Sequence, residues 1–87
     1  MHTEKNKIVA KSTPGNFEKE KLGVKANTVR EIPEWEESDM FSDFLEKFRR
    51  EEQLQIEIHC TDTTQGYFRR DVKDVTHFKE NIYIISF

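Results

Sequence analysis

Residues 54–72 read LQIEIHCTDTTQGYFRRDV and contain two alternating runs separated by a polar segment. Leu54, Ile56 and Ile58 alternate with polar residues, which is the period of a strand with one buried face. The intervening TDTTQG is rich in turn-forming side chains and ends in glycine, as hairpin connections do. This stretch therefore predicts a β-hairpin, with Cys60 continuing the buried side of its first strand.

Further strands are predicted on either side of the hairpin. Residues 27–31 form a short strand before Pro33, and residues 81–87 form an apolar terminal strand buried on both faces. Residues 74–79, between the hairpin and the last strand, are predicted to be a turn or a single helical turn. We expect one buried face to combine Leu54, Ile56, Ile58, Phe68, Val72 and Ile84.

Two helices are predicted from apolar spacing and capping residues. Residues 38–51 form the longer one, with Ser38 as its N-cap. A short helix over residues 17–22 follows Asn16 as N-cap and ends at Gly23, which takes the left-handed conformation. We expect the apolar stripe of the longer helix to face the core: Met40, Phe41, Phe44, Leu45 and Phe48.

These elements together predict an α+β protein. Its sheet is small, twisted and mainly antiparallel, with one main amphipathic helix and one short helix. Residues 14–87 are assigned to this single domain. Residues 1–13 are predicted to be a flexible N-terminal tail, whose short apolar run at residues 8–10 either adds an edge strand or stays mobile.

Composition restricts the class of protein further. The 87 residues suffice for one small domain, and the net charge is -3. No apolar run approaches the roughly 20 residues of a membrane-spanning helix, and no signal peptide is visible. Cys60 is the only cysteine and the histidines are scattered, so we expect no disulfide, no metal site and no cofactor. The expectation is a cytoplasmic monomer.

Charge and aromatic residues leave two interpretations open. Residues 1–30 hold seven Lys or Arg against three acids, whereas residues 31–46 hold seven acids and no base. This pattern is either a bipolar surface that attracts phosphate or a pair of ordinary solvated faces. Tyr67, Arg69 and Arg70 likewise form either an aromatic-basic strand that stacks on nucleic acid or a plain exposed strand face.

The segment GVKANTVR at residues 23–30 is the strongest candidate for chemistry. Gly23 allows close approach of the backbone. In a strand, Thr28 and Arg30 point to the same face, and Lys25 precedes them. A cation, a hydroxyl and a bidentate donor suit a phosphate, a base edge or a developing oxyanion. The alternative is an edge strand with solvated Lys and Arg side chains.

This Gly-x-Lys-x-x-Thr-x-Arg segment, with Phe17 on the preceding helix, resembles the signature of the ASCH domain family, a branch of the PUA-like β-barrels. Residues 16–87 are also similar to small uncharacterised phage and prophage proteins of Gram-positive bacteria. The resemblance implies that the small, twisted, antiparallel sheet is barrel-like (PUA-like), and that the protein binds RNA or a nucleotide beside the motif. With the aromatic-basic strand included, the expected ligand-binding residues are Gly23, Lys25, Thr28, Arg30, Tyr67 and Arg69.

Some members of that family resemble amidohydrolases that remove acyl groups from modified cytidine. The resemblance would then make Lys25 and Thr28 catalytic, together with a carboxylate that Glu57, Asp71 or Asp74 would supply. RNA or nucleotide binding is the favoured function. An amidohydrolase acting on a modified nucleoside is the second. A phage protein that binds a host protein through its acidic helix is the third, and whether the protein is an enzyme stays open.

Overall fold

The computed structural model describes residues 2–32 and 38–87. Its strands are His2–Glu4 (β1), Lys7–Ser12 (β2), Asn27–Glu31 (β3), Gln55–Cys60 (β4), Tyr67–Asp71 (β5), Asp74–Lys79 (β6) and Ile82–Ser86 (β7). Its helices are Pro14–Lys21 (α1) and Ser38–Arg49 (α2), and a short 3-10 turn spans Thr63–Gln65. The strands form a four-stranded sheet, in the order β1-β2-β4-β5, and a three-stranded sheet, in the order β3-β7-β6. The α+β class is confirmed, and the described strands form two open sheets.

The four-stranded sheet has two chemically different faces. β2 runs parallel to β4, and β5 runs antiparallel to β4. Because alternate residues point to opposite sides, one face turns the following residues into the core: Ile8, Ala10, Ile56, Ile58 and Phe68. The opposite face, here called the outer face, carries Glu4, Lys7, Val9, Lys11, Gln55, Glu57, His59, Tyr67, Arg69 and Asp71. Its side chains are exposed or half-buried except for that of Glu57.

Residues 2–12 belong to this sheet, which differs from the predicted flexible tail over residues 1–13. Ile8 and Ala10 are buried, and their strand lies between β1 and β4. The register sets Ile8 against Ile56 and Ala10 against Ile58, so burial offsets the entropy lost in ordering the segment. Because β4, its parallel partner, is distant in the sequence, the short apolar run at residues 8–10 gives no local indication that it forms an inner strand.

The three-stranded sheet corrects two expectations. Asp74–Lys79, predicted to be a turn, pairs antiparallel with β7 and has an irregular register between His77 and Lys79. It is an edge strand, and Val75 is its residue that packs against the core. Its sequence therefore lacks the apolar alternation by which a strand is recognised. In β7 the fully buried residue is Ile85, and Ile84 is half-buried. The prediction that Ile84 is the residue facing the core is therefore wrong.

The other elements follow the sequence closely. β3 has the predicted bounds, and the 54–72 hairpin is confirmed as β4 and β5. α1 begins earlier than predicted, at Pro14, with Thr13 as its N-cap, because proline is favoured in the first helical turn. It stops before Gly23, whose φ of 79° confirms the left-handed conformation.

The apolar stripe of α2 packs inward as predicted. Phe41 and Phe44 are buried, and Leu45 and Phe48 pack partly buried against the same core. The Phe41 ring meets the Tyr83 ring of β7 edge-on, with centroids 4.7 Å apart. The Met40 side chain lies outside the described residues. The core therefore fills the space between α2, the inner face of the four-stranded sheet and the three-stranded sheet.

Candidate functional site

Two of the motif residues, Thr28 and Arg30, lie together at the C-terminal end of β2. With Ser12 and Glu20 they form what we call the Arg30 network. Arg30 Nε donates to Thr28 Oγ1 at 3.0 Å. Its terminal nitrogens donate to the carbonyl oxygen of Lys11 at 2.8 Å and to Ser12 Oγ at 3.0 Å. The Ser12 hydroxyl in turn donates to Glu20 Oε1 at 2.7 Å. Arg30 therefore ties β3 to β2 and, through Ser12, to α1.

The acid of this network is deeply buried. Glu20 is 1% exposed, and its Oε2 has no hydrogen-bond partner among the described residues. Thr28 is also buried. Burial lowers the pKa of the Arg30 guanidinium, and the charge of Glu20 acts in the opposite direction. Arg30 is therefore linked to Glu20 through the Ser12 hydroxyl, and its described hydrogen bonds are all made to other groups of the protein.

The other two motif residues are not part of this network. Gly23 follows the C-terminal end of α1, and its amide donates to the Glu20 carbonyl at 3.2 Å. The Lys25 amide donates to the Lys19 carbonyl at 3.1 Å. The Lys25 ammonium makes no hydrogen bond or ion pair with any residue that the structure describes. The structure therefore brings Thr28 and Arg30 together without Gly23 or Lys25.

The three carboxylates considered for catalysis have partners elsewhere. Asp71 accepts from Gln55 at 3.4 Å, and Asp74 accepts from Thr76 at 3.0 Å. Glu57 lies on the outer face of the four-stranded sheet. The carboxylate that meets the motif is Glu20, which the sequence analysis did not consider. Its signal was its position three residues after Phe17, which puts both on the buried face of α1.

Glu57 and its three donors, Lys7, His59 and Arg69, form the Glu57 network in the middle of the outer face. Arg69 Nε donates to Glu57 Oε1 at 2.6 Å, and Lys7 Nζ donates to the same oxygen at 3.3 Å. His59 Nε2 lies 2.7 Å from Oε2 and carries the shared proton, since a carboxylate only accepts. The hydrogen bond from His59, followed by those from Arg69 and Lys7, lowers the pKa of Glu57 to about 2, although desolvation opposes them. Glu57 is therefore a fixed negative charge and a poor general base.

Two of the predicted binding residues, Tyr67 and Arg69, lie beside one another on the outer face. Together with His59 they form what is here called the Tyr67 stack. Tyr67 is 52% exposed. His59 stacks on it with ring centroids 4.9 Å apart and an interplanar angle of 25°. The Arg69 guanidinium lies 5.7 Å from the centre of the same ring. His59 and Tyr67 are directly opposed in the β4–β5 register, and such cross-strand neighbours pack against one another.

A cavity of about 260 Å³ lies next to this stack, where β4 ends and the 61–66 loop begins. Asp62 shapes the loop by accepting from the Thr64 amide at 3.0 Å and from its hydroxyl at 2.7 Å. These hydrogen bonds lower the pKa of Asp62. The residues lining the cavity include Lys11, His59, Thr61, Thr63, Gly66 and Tyr67.

Part of this candidate site is predictable from the sequence, and part is not. Tyr67 and Arg69 share the outer face, as their spacing predicts. His59 was missed as a stacking residue because its role depends on the strand register. Lys11 was missed because it lies in the segment assigned to the tail. Its place on the outer face follows from the alternating burial of residues 7–12 in the folded strand, which the contiguous apolar residues 8–10 do not reveal.

Two further features of the described residues bear on the class of ligand. Within residues 2–32 and 38–87, no group of three or more His, Cys, Asp or Glu side chains is placed to hold a metal ion. Neither helix in the described part of the chain is long and apolar enough to cross a membrane.

No family model, no curated protein and no solved structure matches this chain. The resemblance of residues 16–87 to the ASCH family therefore rests on the sequence pattern alone and stays a prediction.

Proposed function

We propose that this protein binds RNA or a nucleotide on its outer face, at the Tyr67 stack. One observation carries the proposal: the half-exposed ring of Tyr67 lies against His59 and Arg69, beside a cavity that Lys11 lines. Bases stack on such rings, and each stacked base contributes about 1–3 kcal/mol. An Arg guanidinium beside the ring and a lysine at the cavity suit the base and the phosphate respectively.

The ASCH resemblance supports the same class of ligand. It implies a PUA-like module of phage or prophage origin with an RNA or nucleotide ligand, and we keep that relationship, including its barrel-like sheet, as part of the proposal. In this arrangement the motif acts indirectly. Arg30 donates to the carbonyl of Lys11, so the motif fixes the backbone of the residue whose side chain lines the cavity.

The two other candidate functions have less support from the geometry. Hydrolysis needs a general base within hydrogen-bond reach of its proton donor. Glu57 is held ionised by three donors, and Glu20 is almost completely buried. A host-protein interface on α2 would have to use charged side chains such as Asp43 and Glu46, since Phe41 and Phe44 belong to the core.

Titration of the 15N-labelled protein with single nucleotides, short RNAs and acetylated cytidine tests the proposal. We expect amide shifts at His59, Tyr67 and the 61–66 loop. Tyr67→Ala should weaken binding about tenfold or more, because it removes the stacking surface.

The matched control is Phe78→Ala, which removes an aromatic side chain that is 63% exposed on the three-stranded sheet. This variant should bind like the unmodified protein. Equal loss in both variants, or full binding by Tyr67→Ala, would rule out the Tyr67 stack as the site. Conversion of acetylated cytidine to cytidine would instead favour the amidohydrolase.

A further inference from the structure

The outer face holds as many acids as bases. Its cations are Lys7, Lys11 and Arg69, and its carboxylates are Glu4, Glu57 and Asp71. Such a balanced face differs from the positively charged groove with which proteins follow the backbone of a single strand. The overall charge of this face therefore does not attract a polyanion.

Ion pairing reduces the available positive charge further. Lys7 Nζ lies 3.3 Å from Glu57 and 3.2 Å from Glu4, and Arg69 is bound to Glu57 at 2.6 Å. The Lys11 ammonium makes no hydrogen bond or ion pair with the described residues. It is exposed and lines the cavity beside the Tyr67 stack. Counting partners within residues 2–32 and 38–87, Lys11 is thus the one of these three cations without an ion pair, and it suffices for one phosphate.

The stacking surface and the cavity are also limited in size. His59 and Tyr67 stack on each other, so they present one platform to a ligand. The other outer-face residues of β4 and β5 are Gln55, Glu57, Arg69 and Asp71, which provide no second ring. The cavity of about 260 Å³ is smaller than the range of about 300–1,000 Å³ that is usual for small-molecule sites. These dimensions suit one base and its sugar.

We infer that the ligand is a single nucleotide carrying a terminal phosphate, and not an RNA strand. Its base stacks on the exposed side of Tyr67, and its phosphate binds Lys11 Nζ. The inference rests on the proposed function and narrows its ligand class.

Calorimetric titrations with four probes of the same base test this inference: the nucleoside, its 5′-monophosphate, a dinucleotide and a hexamer. The monophosphate should bind about tenfold more tightly than the nucleoside, because it adds a charge-assisted hydrogen bond to Lys11. The hexamer should bind more tightly than the monophosphate by no more than the statistical factor that its several equivalent bases provide. Its affinity should fall with salt at a log–log slope of about 0.7, the value for one phosphate of a single strand.

Lys11→Gln supplies the residue-level test. This variant should bind the nucleoside as before and should lose the tenfold preference for the monophosphate. Lys79→Gln, on the exposed edge strand of the other sheet, is the matched control and should keep that preference.

Three results would overturn the inference, and they separate it from the proposed function. A hexamer that binds far more tightly than the monophosphate, with a salt slope above about 2, would show a strand ligand and leave the outer-face proposal standing. A Lys11→Gln variant that keeps the monophosphate preference would remove the phosphate assignment alone. Failure of every probe to bind would overturn the proposed function, and the inference with it.

Discussion

The Arg30 network and the Glu57 network each join a carboxylate to basic and neutral donors, but they differ in burial and in what they leave available. In the first, Glu20 is almost fully buried, and Arg30 is bonded to three oxygen acceptors of the protein. In the second, Glu57 lies beneath side chains that reach solvent, and the exposed Tyr67 ring lies beside it. The first arrangement holds elements together, whereas the second leaves a surface that a ligand can contact.

Under the proposed function, the recognisable motif and the ligand site lie in different regions of the molecule. The spacing at residues 23–30 places Thr28 and Arg30 on one face, and the fold uses that face to join β3 to β2. The 67–69 spacing has no comparable signature, yet it places Tyr67 and Arg69 beside a cavity. The two regions differ in how exposed their side chains are and in how many of their hydrogen-bonding groups already have partners. Both properties depend on the folded structure and not on the spacing of the residues.

The largest effect that would separate the two regions is expected at Arg30. Arg30→Ala removes three hydrogen bonds and the positive charge that acts on the buried Glu20 carboxylate. Leaving such buried polar groups unsatisfied costs about 1–3 kcal/mol of unfolding free energy. Urea denaturation monitored by circular dichroism measures the loss. Glu20→Gln combined with Arg30→Ala should recover part of the stability, since the uncompensated charge is gone. A fully stable Arg30→Ala protein that no longer binds ligand would instead make Arg30 a binding residue.

A smaller, pH-dependent effect is expected at Glu57. Its pKa is lowered from 4.5 to about 2 in the folded protein. A depressed folded pKa stabilises the protein above the unfolded pKa, and this contribution is lost as the pH falls from about 4.5 towards 2. Urea midpoints measured across this range should fall more steeply for the unmodified protein than for Glu57→Gln. Parallel pH profiles for the two proteins would contradict the Glu57 network.

The smallest effect on stability is expected at Tyr67. Tyr67→Ala removes an exposed ring from an edge strand and ends its cross-strand stacking with His59, so the unfolding free energy should fall by no more than about 1 kcal/mol. Its thermal midpoint should fall by only a few degrees while binding is lost. A large fall in the thermal midpoint would mean that the Tyr67 stack is structural, as the Arg30 network is.

The elements found from the sequence are those whose signal is local. Alternation identified β4 and β5, and helical spacing identified the inward face of α2. The elements missed depend on distant partners. β2 is central because Ile8 and Ala10 meet Ile56 and Ile58 across a parallel ladder. β6 is polar because it lies at an edge.

The candidate site divides in the same way. Tyr67 and Arg69 could be placed on one face from their spacing alone. The role of His59 could not be predicted, because it depends on the β4–β5 register. The role of Lys11 depends on its strand lying beside β4. Glu20 was overlooked because a helical glutamate is usually exposed, and its burial depends on Ser12 and Arg30.

Mapping the ligand-induced amide shifts of the unmodified protein is the most direct test of the central claim, that the outer face and not the motif at residues 23–30 contacts the ligand. We predict that a nucleoside monophosphate shifts the amides of Lys11, His59, Thr61 and Tyr67 most strongly. The amides of Lys25 and Thr28 should shift little by comparison. Shifts centred on Lys25 and Thr28, with the Tyr67 stack unaffected, would contradict the account.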